Sequence, residues 1–135
     1  MWPFRNSPKE AAPEHTWGDG TVARYNSRLN FWSFSHDKIE FTLSRVAIDP
    51  AALDYAKEIL ALIRTMDADL KGRVEQELGD WPCDTSKAHI AVVDLSEYAK
   101  LRKFDAEFFG DESWGDFSIT IIVAEGKITD AYGGD

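Results

Sequence analysis

Eight carboxylates stand between Phe104 and Asp135: Asp105, Glu107, Asp111, Glu112, Asp116, Glu125, Asp130 and Asp135. They face one base, Lys127, so the last third of the chain carries −7 of its total −9. Acids this dense suggest three chemistries. A carboxylate-dependent hydrolase using acids within 105–116 needs two of them in different surroundings, one kept protonated by burial. Asp105 and Glu107 instead share one side of a strand, opposite Phe104, Ala106 and Phe108, which places both on the solvent face as ionised groups. A calcium site would need the ligand spacing of a dedicated loop, and residues 110–116, G-D-E-S-W-G-D, lack it. The third chemistry is a charged face for a basic partner. On that reading Asp105, Glu107, Asp111, Glu112 and Asp116 form the patch. Trp114, set between Ser113 and Gly115, serves either as its aromatic anchor or as a lid folded back on the core. The plainer alternative is a solvated acidic face with no partner.

The remaining reactive residues offer less. Cys83 lies between Pro82 and Asp84, and the nearby Asp80 and Asp84 oppose the thiolate that a nucleophile requires. His15, His36 and His89 are scattered, and no zinc-binding, phosphate-cradling or serine-nucleophile motif occurs, so no metal and no cofactor is expected. Arg24 and Arg28 are too few to make a nucleic-acid patch on a chain of net charge −9.

The elements that would position these residues follow from periodicity. Val22–Tyr25 reads as a short strand, and Leu29–Ser35 is rich in strand formers. A turn at His36-Asp37 then leads into Lys38–Val46, where Ile39, Phe41 and Leu43 alternate with polar residues. Asp49-Pro50 signals a helix start. Leu53, Ala56, Leu60, Ile63, Leu70, Val74 and Leu78 keep a helical period up to Gly79, as two helices breaking near Met66–Asp67 or as one long helix. His89–Val93 reads as a strand, and Asp94 to Glu97 has capping-box spacing ahead of a short helix through Leu101. Phe104–Phe109 and Asp116–Ala124 are strands, Glu125-Gly126 a two-residue hairpin turn, and Lys127–Tyr132 the return. Strands, then helices, then strands imply an α+β fold. The expected sheet is antiparallel, with about five to six strands and the central helices packed on one face.

With 135 residues the chain suits one domain, expected over 16–135 after a flexible arm, 1–15. The start has no apolar run of the kind a secretory signal needs, and no stretch approaches the length of a membrane span. The single cysteine excludes an internal disulfide. The expectation is a cytoplasmic chain with no membrane contact.

The layout resembles a broad group of small uncharacterised bacterial α+β proteins, including immunity proteins of polymorphic toxin systems. The resemblance rests on the start Met1-Trp2-Pro3-Phe4-Arg5 and the helices after Asp49-Pro50. It continues in Trp114-Gly115-Asp116 leading into Ile119–Val123, and in Glu125-Gly126-Lys127 with its terminal strand. It implies a non-enzymatic inhibitor that binds a toxin protein, and it carries over no catalytic residue. The expected function is therefore a protein-binding domain whose acidic C-terminal face covers a basic partner surface. The alternatives are the hydrolase above or an accessory domain that dimerises through a sheet edge.

Overall fold

A computed structural model describes residues 13–44 and 47–134. Strands β1 (Glu14–Thr16), β2 (Val22–Asn26), β3 (Phe31–His36) and β4 (Ile39–Leu43) precede helices α1 (Ala52–Thr65) and α2 (Asp67–Leu78). Then follow β5 (His89–Asp94), the short helix α3 (Tyr98–Leu101), β6 (Lys103–Phe109), β7 (Ser118–Ala124) and β8 (Lys127–Gly134). All eight strands form one sheet whose spatial order is the chain order. Every neighbouring pair is antiparallel except β4 and β5, which are parallel. A parallel pair needs a crossover, and α1 with α2 supplies it.

The α+β class and the dominance of antiparallel pairing match the expectation, but the sheet has eight strands rather than five to six. One addition is β1, which pairs with β2 through Glu14↔Arg24 and is tied there by an Arg24 Nε–Glu14 Oε2 ion pair of 2.8 Å. Three residues with no apolar alternation give no sequence signal, because strand pairing is made by backbone groups. Of the expected arm, Glu14 and His15 thus belong to a strand, and 1–12 lie outside the described residues. At the other end β8 runs to Gly134, past the expected stop at Tyr132.

Alternate strand residues fill the core. Phe34, Phe41, Val93, Phe104, Ala106, Phe108, Ile119, Ile121 and Val123 are buried in one cluster with Ala56, Ile59 and Ile63 of α1 and Leu70 and Val74 of α2. Each large side chain removed from water contributes about 1.5–3 kcal/mol, which fixes the helices on this face. On the opposite face Glu40 is exposed, and Thr42, Asp94, Asp105, Glu107, Thr120 and Ile122 are only part-buried. Among the described residues no helix packs on that side of the sheet.

The local signals held with adjustments. The helices break at Met66, whose N–H is shared between the carbonyls of Leu62 (2.9 Å) and Ile63 (3.2 Å). Asp49 does start the helical turn, yet α1 begins only at Ala52. The Asp49 side chain accepts from the Ala51 N–H at 2.9 Å and closes a turn of its own first. The β3–β4 turn is Asp37-Lys38, one residue beyond the expected position, with φ of 51° and 65°. Glu125-Gly126 joins β7 to β8 with φ of 51° and 78°, the two positive values that a tight hairpin of right-handed twist requires. The part of the expected Lys38–Val46 strand at 45–46 lies outside the described residues. No capping box forms. Asp94 accepts from the Ser96 N–H (2.8 Å) and hydroxyl, while Glu97 turns to Lys103.

Candidate functional site

The carboxylates of the open face are placed by strand register. One cross-strand row runs through Glu14, Arg24, Ser33, Thr42, Asp94, Asp105, Ile122 and Asp130, and the next through Ser35, Glu40, Val92, Glu107, Thr120 and Tyr132. Asp94 stands directly opposite Asp105, a pairing of like charges that is unfavourable on its own. Lys103 offsets it. It lines the same narrow recess of about 70 Å³ with Asp94, Ser96, Glu97 and Asp105, and its Nζ lies 3.3 Å from Glu97 Oε2. Burial pushes the Asp105 carboxyl up from its ordinary value, with Asp94 and Glu97 adding to the effect and Lys103 opposing it. The expectation that Asp105 sits in open solvent is thus corrected: the end of the sheet half-buries it. The recess has room for a few waters, not for a sugar ring or a peptide.

Two residues along β6 the surroundings change. Glu107 and Asp116 line a wider groove of about 390 Å³ with Phe109, Ser118, Thr120, Tyr132 and Gly134. Among the described residues no basic side chain lines it. The Ser118 hydroxyl donates to Glu107 Oε2 at 2.9 Å, which steadies that carboxylate. Tyr132 is 53% exposed.

Asp116 reaches this groove because of how the β6–β7 loop is mounted. A Cβ on Gly110 would come within 2.1 Å of the Trp114 indole, so the chain can leave β6 over that ring only as glycine. Asp111 accepts from the Ser113 N–H at 3.0 Å and opens a single tight turn, Glu112–Trp114. Trp114 is 3% exposed and donates its indole N–H to the Asp84 carbonyl at 2.9 Å. It is the lid on the core, so it is not available as a surface anchor. The Asp84 N–H in turn donates to the Ser113 hydroxyl at 2.9 Å, and the Cys83 thiol points at the Ser113 carbonyl at 3.7 Å. Burial first, and then Asp111, push the Cys83 thiol up, which keeps it protonated. The repelling acid is Asp111, from across the loop, rather than the sequence neighbours Asp80 and Asp84.

Of the six residues expected to form one patch, the structure brings Glu107 and Asp116 together. It places Asp105 in the separate recess, Asp111 beside Cys83, Glu112 on the exposed turn and Trp114 in the core. Sequence reasoning missed Tyr132, Asp94 and Glu40 as members of the open face. It also missed Trp81, which is 58% exposed and stacks on Phe117 at 5.6 Å. A register count from the Glu125-Gly126 turn was the only available signal for Tyr132, and a bulge spoils it.

Among the described residues no group of three or more His, Cys, Asp and Glu is arranged to hold a metal, and no helix is long and apolar enough to cross a membrane. A more apolar hollow of about 410 Å³ lies over Ile39, Ile63, Leu70, Ile90 and Phe108. Two of its rim acids are already matched, Asp37 to Arg64 at 3.1 Å and Asp67 to Lys71 at 3.2 Å. Among the described residues the groove at Glu107 and Asp116 has no such match. Compared with protein-family models, curated proteins and solved structures, the chain matches none.

Proposed function

We propose that the chain is a non-enzymatic protein-binding domain that covers a basic partner surface with the open, acidic face of its sheet. The partner would be a protein such as a toxin domain, met in the cytoplasm, as for the immunity proteins that the sequence resembles. The observation that carries this reading is the face of the sheet opposite the helices, which no described helix covers. Glu40, Asp94, Asp105, Glu107 and Asp130 project from it in two adjacent rows. These acids outnumber the bases Arg24, Lys103 and Lys127 on the same face, and a predominantly negative surface steers a partner of opposite charge and disfavours nucleic acid. The hydrolase reading has less support, because the acid with the raised carboxyl, Asp105, sits in a recess too small for a substrate.

The test uses a partner captured from the source lysate on the immobilised chain and then purified. Its association rate should fall by about tenfold or more between roughly 0.05 M and 0.5 M salt. Glu40→Lys with Glu107→Lys should slow it comparably at the lower salt. A captured partner that is indifferent to both changes would overturn electrostatic covering as the mechanism.

A further inference from the structure

We propose that the hollow bounded by the β3–β4 turn, the α1–α2 junction and the start of β5 binds a small organic acid, an apolar body carrying one carboxylate. Both helices line it, so it lies apart from the acidic face and does not depend on the reading above.

The hollow exists because the sheet parts here. Strands β4 and β5 pair only from Glu40↔Val92 to Thr42↔Asp94, so one residue earlier Ile39 has no partner on β5. The ladder from β5 to β6 is also irregular between Ile90 and Val92. Side chains from β4, α1, α2, β5 and β6 then floor a space of about 410 Å³ with Ile39, Ile63, Leu70, Ile90 and Phe108. Small-molecule sites run from about 300 to 1,000 Å³, with apolar walls and a few polar groups that orient the ligand.

The rim sets the sign of that ligand. Asp37 is matched by Arg64 and Asp67 by Lys71. Among the described residues Lys38 has no carboxylate within ion-pair reach, so it is the base left over. A chain of net charge −9 thus carries a local positive surplus above an apolar floor. Lys38 also stands where a lysine is costly. Its φ of 65° falls at the second position of the hairpin turn, which ordinarily takes glycine. A strained residue kept at the mouth of a cavity is a mark of use. A carboxylate complements the Lys38 ammonium by a charge-assisted hydrogen bond, whereas a neutral molecule leaves it unused and an amine opposes it.

The experiment is an NMR titration of the full-length labelled chain with octanoate, octan-1-ol and octylammonium at one ionic strength. Octanoate should shift the amides of Lys38, Ile39, His89 and Ile90 saturably, and bind about threefold or more tighter than octan-1-ol. Octylammonium should bind weakest at these residues, against the acidic character of the whole chain. Lys38→Met keeps the apolar stem and removes the charge, so octanoate and octan-1-ol should then bind alike. Ala88→Leu, in the wall of the hollow, should weaken both by about fivefold by filling the space. Octylammonium binding as tightly as octanoate, or no saturable shift at the hollow, would overturn the proposal. So would an octanoate preference that survives Lys38→Met, or binding untouched by Ala88→Leu. The ranking of the three ligands on the wild type decides the matter whether or not a variant folds.

Discussion

At Asp105 the open side of β6 is walled in by Asp94, Ser96, Glu97 and Lys103, whereas at Glu107, two residues on, it faces a groove about five times roomier and lined by no base among the described residues. The two acids belong to one strand and point the same way. Burial raises the first carboxyl, and Lys103 is recruited to balance its neighbours. The second is held by a hydroxyl and left with its charge facing outward. The difference shows that dense acid in a sequence has no single meaning. Whether a carboxylate is a structural liability to be matched or a group kept for a partner depends on the wall and the bases around it.

The comparison breaks most readily at the groove end. Trp114→Ala empties the space under the loop that carries Asp116 and leaves the Asp84 carbonyl without its donor. It should cost about 3–5 kcal/mol in urea unfolding, the range for a large buried aromatic. Native-state hydrogen exchange should show the loop losing protection while β5 and β6 near Asp105 keep theirs. A loss below about 1 kcal/mol would mean that the indole does not hold this end.

The recess end is sharpened by two smaller changes. Lys103→Met leaves Asp94, Glu97 and Asp105 with no base among them, and should cost about 0.5–1 kcal/mol at pH 7 because the pair is partly exposed. Unfolding in urea at about pH 4 should show a smaller loss, since the Asp105 carboxyl, pushed up by burial, has then taken up a proton. Asp105→Asn should act in the opposite sense. A carboxyl raised in the folded state favours folding below its unfolded value, and that contribution is lost as pH rises through the folded one. The asparagine variant should therefore gain a few tenths of a kcal/mol, about 0.3, at pH 7 and nothing below about pH 4. Urea midpoints at the two pH values check the sign. A loss at pH 7 would mean that the Lys103 attraction outweighs the burial.

Much of the frame was legible in the chain. Ile39–Leu43, Phe104–Phe108 and Ile119–Val123 alternate so cleanly that one face of each strand had to be core, and each of those faces is buried. Weak helix formers near Met66 marked the break between helices. Other readings failed where local signals competed. Asp94 has capping-box spacing but bonds to Ser96, because it still belongs to a strand. Trp114 sits among acids, which suits an anchor, yet the tie from its indole N–H to Asp84 comes from a loop 30 residues away. No local pattern encodes that contact.

Residue order and alternation alone determined the α+β class, the covered faces of the central strands and the concentration of charge at the C-terminal end. Only the tertiary structure decided which acids and rings share a surface, and two bulges did much of the deciding. Counting back from the Glu125-Gly126 turn, Lys127 pairs with Ala124 and Ile128 with Val123, but past the shift Asp130 pairs with Ile122 and Tyr132 with Thr120. A regular ladder would have set Tyr132 opposite Ile119, on the core side. The irregularity between Ile90 and Val92 likewise sends Val93 inward and Asp94 outward, opposite Asp105. One extra residue in a strand exchanges the faces of everything beyond it, and its place is chosen by the packing of the whole sheet rather than by the residues beside it.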